Sequence, residues 1–279
     1  MILYDPKSWW GLIFQFHRSD TFRRLLPSMA TVALFATGIA VVDRELWPDH
    51  LRSTTVVHSL LGFVISLLLV FRTNTAYERW WEGRRQWGAL VNASRNLALK
   101  LHGRLREEHP ARIALAAEIG AYAAVLKDHL RDAKPPLAGP IRHAPNAIAA
   151  RLFREIDRLH RQGDLTPEHV LNLNGELTAL TDICGACERI RRTPIPYSYG
   201  LFIKKFIFAY IVTLPFVFVH DFGYWTALFA TFMFYVLMSL EIIAEEVENP
   251  FGTDANDLPT DDLAKMIAAN VGEILLGDR

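Results

Sequence analysis

Cysteine is almost absent from this 279-residue chain: Cys184 and Cys187 are the only two, which excludes a disulfide framework. Their CGAC spacing has no second pair to complete a zinc ribbon and follows no strand. The two therefore read as small residues in a packed helix. Charge of one sign is not in excess either, with 30 Lys and Arg against 30 Asp and Glu, so net charge gives no argument for nucleic acid as a partner. Walker, GxGxxG, HExxH and GxSxG signatures are missing. None of the ten histidines has another at i,i+4 with a third ligand in view. An enzyme lacks its constellation, a pump lacks its nucleotide site, and a chain without two similar halves is not an inverted-repeat carrier.

What the chain has instead is long uncharged hydrophobic runs. Apolar residues make up 51% and charged residues 22%, a split expected of segments divided between lipid and water. A bilayer core needs roughly 20 apolar helical residues. Four runs approach this: Leu25–Val42, Ser53–Phe71, Tyr197–Val219 and Phe222–Leu240. In the third, Lys204 and Lys205 sit near the start and can snorkel to the interface. The opening stretch MILYDPKSWWGLIFQFHRSDTFRR lacks a cleavable apolar core. Its Trp9, Trp10, Phe14 and Phe16, with Arg18, Arg23 and Arg24, predict an interfacial helix.

Cation placement sets the expected topology. Arg18, Arg23 and Arg24 precede the first run, and Arg72, Arg79, Arg84 and Arg85 follow the second. Arg189, Arg191, Arg192, Lys204 and Lys205 flank the third. Residues 43–52 and 220–221 carry few cations. Both termini and the long middle segment are thus expected in the cytoplasm. The organisation reads as an interfacial helix (1–24), two transmembrane helices (25–71), a cytoplasmic helical region (72–196), two more transmembrane helices (197–240) and a C-terminal cytoplasmic segment (241–279).

The middle segment carries helical periodicity over Ala89–Leu105, Ala111–Leu130, Ile148–Arg161 and Pro167–Arg191, with a proline-rich break at 132–147. "TPEH" at 166–169 is a helix start, with an N-cap threonine, proline at the first position and an acid in the first turn. No alternating strand run appears, and the architecture is all-α. On the second run Phe63, Leu67 and Phe71 form a large apolar stripe at i, i+4, i+8, beside the small residues Ser59, Gly62 and Ser66. Such a stripe serves packing or a pore, and periodicity leaves both open. A membrane unit with so few spans encloses a pathway only as a symmetric oligomer.

Three motifs in order, "RWWEGRRQWG", "CERIRRTPIPYSY" and "EEVENPFGTDANDLP", resemble the bestrophins, most closely their bacterial branch, from the N-terminal helix to about Asp262. The proline-rich segment is left unmatched. The resemblance implies an ion channel of five identical subunits around a central pore in a bacterial inner membrane. Its partners would be permeating ions, lipid and copies of itself. Animal members are calcium-activated chloride channels, whereas a bacterial member is cation-permeable. The family's hydrophobic neck ends eight residues before the RWW arginine, which falls on Phe71, Leu67 and Phe63. A cytoplasmic aperture falls on Glu168, where the family usually has an aliphatic residue. A calcium clasp would fall on Asp254 and Asp257, as a remnant, with no cofactor required. Trp80 and Trp81 are expected as interfacial anchors and Arg79 as the partner of Glu188. Five copies of Glu168 would favour cations. Anion conduction, or a membrane-anchored scaffold without a pore, are the alternatives.

Overall fold

The computed structural model describes residues 20–47, 54–133 and 142–277. The expected interfacial helix lies mostly outside these residues, as does the centre of the proline-rich break. Every regular element among the described residues is helical: α1 (Asp20–Val41), a π-helical turn (Val42–Leu46), α2 (Thr55–His102), α3 (Ala111–Leu130), α4 (Ala144–Arg161), α5 (Pro167–Arg192), α6 (Tyr197–Phe222), α7 (Trp225–Glu248) and α8 (Thr260–Leu276). Two compact units result. One holds the described residues up to Glu78 with Pro194–Glu248, the other Arg79–Thr193 with the described residues from Asn249 onward.

Among the described residues four helices are long and apolar enough to cross a membrane, and the first unit holds Thr21–Leu46, the start of Thr55–His102, Tyr197–Phe222 and Trp225–Glu248. Its core is a seam of Ala36, Ile65, Leu69, Ile203, Ile207, Tyr210, Ile211, Leu214, Ala230 and Leu237. Gly62 is required here, because a Cβ would lie 2.9 Å from the Tyr210 hydroxyl. The Lys204 ammonium lies 3.2 Å from Glu245 on α7. Two boundaries differ from the sequence reading. α2 continues unbroken past Phe71 to His102, 48 residues or about 72 Å. α7 runs on past Leu240 to Glu248, because Glu241 and its acidic neighbours find cations within the unit.

The second unit is a helical body. α4 shows the amphipathic pattern plainly, burying Ile148, Leu152, Ile156 and Leu159 on one face. At the flank of that face Arg151 makes a fork to both oxygens of Glu118, at 2.8 and 2.9 Å. α5 begins as "TPEH" predicts: Thr166 accepts from the His169 amide, and His169 returns the bond in a capping box. α8 was not anticipated. Thr260, Ala264, Ile267, Val271 and Leu275 bury one stripe of it, and Gly120 lets α3 approach so closely that a Cβ there would sit 3.2 Å from the Cα of Ala268. Each large aliphatic side chain buried this way contributes about 1.5–3 kcal/mol.

Candidate functional site

α2 presents two opposite faces in the membrane unit. His58, Ile65, Leu69, Arg72 and Ala76 are buried. At about 100° per residue these positions cluster on one side, and 63, 67 and 71 fall about 180° away. Phe63, Leu67 and Phe71 are 66%, 46% and 56% exposed in the single chain. The same exposed face continues into the polar Asn74 and Glu78. The small residues beside the stripe divide. Gly62 packs on Tyr210, whereas the Ser59 and Ser66 hydroxyls turn back to the carbonyls of Thr55 and Gly62. What orients the helix is its buried face. The His58 ring stacks on Tyr210 with centroids 4.1 Å apart, and the Tyr199 hydroxyl donates to the Leu68 carbonyl at 3.3 Å.

The buried face ends in a charged cluster that sequence reasoning missed. Arg72 is 4% exposed; its Nε lies 3.6 Å from Glu241, itself 1% exposed, and its Nη1 lies 2.7 Å from Glu248. Glu248 also accepts the Ile195 amide at 2.7 Å, which fixes the start of the chain into α6. Buried charges in a spanning unit are expensive, so one cation held between two carboxylates marks a fixed joint.

The Arg/Trp stretch belongs to the helical body, and the structure corrects two expectations for it. Arg79 donates to the carbonyls of Ile190 and Thr193 at the C-terminal end of α5, where helical carbonyls lack partners. It does not pair with Glu188. Trp80 is buried and donates its indole N–H to the Asn256 carbonyl at 3.0 Å, so it anchors a loop rather than an interface with lipid. Trp81 remains 43% exposed with Arg84 over its ring at 5.1 Å. Glu82 accepts from Arg189 at 2.5 Å, and Gly83 leaves room for Pro250 and Phe251. These residues tie α2 to α5 and to the NPFG turn.

Glu168 stands exposed in the first turn of α5. Hydrogen bonds from the Thr166 hydroxyl and from its own amide hold its carboxyl below the usual range, so it is ionised in the single chain. Asp254 and Asp257 both line a small cleft beside the NPFG turn, with different burial. Asp254 is exposed, while Asp257 is buried and accepts the Asp254 amide at 2.6 Å. A Cβ on Gly252 would lie 2.7 Å from the same oxygen, so Asp257 closes the turn. Calcium needs six to eight oxygen ligands. Among the described residues no group of three ligating side chains includes either aspartate. Cys184 and Cys187 are buried free thiols, as packing residues should be. Burial pushes the Cys184 thiol up to about 12 and that of Cys187 up as well.

One constellation had no signal in sequence spacing. His129 at the end of α3, His143 at the N-cap of α4 and Glu188 on α5 meet around a single carboxylate oxygen.

Comparison with known proteins gives a consistent result. The profile of the family described as Bacterial/Fungal Bestrophin protein matches residues 1–273, past Asp262 and across the proline-rich segment. A voltage-dependent anion channel-forming protein of Synechocystis is 31% identical over 97% of this chain and 93% of its own length. The voltage-dependent anion channel-forming protein YneE of Escherichia coli is 32% identical over 96% of this chain and 91% of its own. A crystal structure of a bacterial bestrophin homologue from Klebsiella pneumoniae superposes with a TM-score of 0.84 at 29% identity, covering 91% of this chain and all of that one (100%).

Proposed function

Because the chain belongs to the bacterial and fungal bestrophin family of membrane channels, we propose that it conducts ions passively through the axis of a homopentamer, with Phe63, Leu67 and Phe71 as the neck. One observation carries this reading: the stripe lies opposite the packed face of α2 and is open in the single chain. In water three such side chains would cost about 1.5–3 kcal/mol each, so they must face lipid, another subunit or a narrow lumen. Asn74 and Glu78, exposed on the same line one and two turns further on, favour the lumen, where an apolar constriction opens into a polar vestibule. The positive-inside distribution supports an inner-membrane location with both termini in the cytoplasm. Conduction needs no resident cofactor in this account, and Asp254 and Asp257 serve the turn.

On ion sign, the relatives' names outweigh the single glutamate behind the cation expectation, and we take the channel to pass anions. Cation preference is kept as the second reading on one observation, the exposed and ionised Glu168. The reversal potential of purified protein under a KCl gradient decides between them. Movement toward the chloride equilibrium potential supports the first. Movement toward that of potassium, abolished by Glu168→Gln, supports the second.

A further inference from the structure

His129, His143 and Glu188 come from three different elements of the helical body, and their ligating atoms all lie within 4.8 Å of one another. The Nε2 atoms of His129 and His143 lie 2.6 and 2.9 Å from the same Oε1 of Glu188. The two imidazole rings lie 4.5 Å apart between centroids, tilted by 42°. All three side chains are partly exposed, at 18%, 29% and 20%, so solvent reaches the cluster. We infer that these three side chains form a binding site for a divalent transition-metal ion of the zinc class, a role independent of how the channel conducts.

The chemistry of the donors selects the ion. Two imidazole nitrogens and one carboxylate form a borderline set that suits zinc and its first-row neighbours and disfavours calcium and magnesium, which take oxygen. A tetrahedral zinc ion about 2.0–2.1 Å from each donor holds its ligand atoms roughly 3.3 Å apart. The two nitrogen–oxygen separations are about 0.7 and 0.4 Å shorter than this, so the ion is accommodated by an outward movement of three partly exposed side chains. The fourth position would face solvent and hold water.

Two features oppose the ion. Arg192 lies 3.7 Å from Oε1, but it is 70% exposed and free to swing into solvent. His143 accepts the Asn146 amide at Nδ1, 3.2 Å away, as the cap of α4. Coordination through Nε2 moves its proton to Nδ1 and gives up that cap bond. The gain is a clip that joins the end of α3, the start of α4 and the last turns of α5. Glu188 sits two residues before Ile190, whose carbonyl receives Arg79.

The test is zinc binding by the full-length protein in detergent, after chelator treatment, followed by calorimetry and by thermal unfolding. One zinc per chain is expected, with a rise in melting temperature because the ion binds the folded state. His129→Gln and His143→Asn should each weaken binding by at least about tenfold, the lower end of what losing even an outer partner of a metal site costs. Asparagine is chosen at 143 because it keeps the helix cap. His109→Gln should bind as the wild type does, and calcium in excess should not displace zinc. Wild-type protein that takes up no stoichiometric zinc would overturn the assignment. So would a folded His129→Gln/His143→Asn variant, of unchanged size and helicity, that binds zinc undiminished.

Discussion

Replacing Arg72 by methionine removes the guanidinium held between Glu241 and Glu248 while keeping much of its packing volume. Glu241 is 1% exposed and neither of its oxygens accepts a hydrogen bond, so it depends on the guanidinium 3.6 Å away. Breaking a buried pair from one side costs about 3–5 kcal/mol. For a chain of this size each kcal/mol moves the melting temperature by about 2 °C or slightly more, so Arg72→Met should melt about 6–10 °C lower. Glu241→Gln should cost less, because Arg72 keeps Glu248 at 2.7 Å. The double variant Arg72→Met/Glu241→Met should recover most of the loss, since a well-packed apolar pair often matches or exceeds a buried ion pair. Thermal unfolding of the detergent-solubilised protein, read by intrinsic fluorescence and by oligomer size, measures all three. An Arg72→Met protein melting within 2 °C of wild type, or a double variant no better than the single, would refute the reasoning.

Topology is checked by introduced cysteines, which report cleanly because both native thiols are buried and protonated. Leu46→Cys should react with an impermeant thiol reagent applied outside and Glu107→Cys should not; reversed labelling would overturn the orientation. Asp261 supplies a pH test. Hydrogen bonds from Lys127 and Arg131 hold its carboxyl at about 2, below an unfolded value of 3.8. Its contribution is therefore full above about pH 4 and is lost as pH falls toward 2. Asp261 is half exposed, so the effect is small and salt-sensitive. Asp261→Asn should lower the melting temperature slightly at pH 7 and not at all near pH 2. A Gly62→Leu substitution should lower stability by about 1–3 kcal/mol, because the second and third spans must separate at Tyr210.

The spans were legible because uncharged runs of that length have few other uses, and the Phe63–Leu67–Phe71 stripe because its spacing is local. The start of α5 was legible for the same reason: Thr166, Pro167 and His169 cap a helix through bonds that reach only three residues. Arg79 was misread because its partners are backbone carbonyls, which leave no trace in side-chain spacing. Trp80 looks like an interfacial residue in sequence, and only the return of the chain at Asn256 buries it. The His129–His143–Glu188 cluster joins positions 59 and 45 residues from Glu188, beyond the reach of any local period. Arg72 and Glu241 each stand at the edge of an uncharged run, where a snorkelling or solvated charge and a buried pair look the same in sequence. α8 did carry a signal, with Asp261 and Asp262 in its first turn ahead of an apolar stripe at helical spacing, and it lay beyond the segment that the resemblance organised.

The pore assignment rests on the exposed stripe of α2, and single-channel recording in planar bilayers tests it most directly. Purified wild-type oligomer should give discrete currents. The Phe63→Ala/Leu67→Ala/Phe71→Ala variant, shown to have the same assembly size, should give larger unitary currents or a higher open probability, because an apolar constriction hinders hydrated ions by dewetting. A silent wild-type oligomer, or currents unchanged by the triple substitution in an intact assembly, would contradict the account.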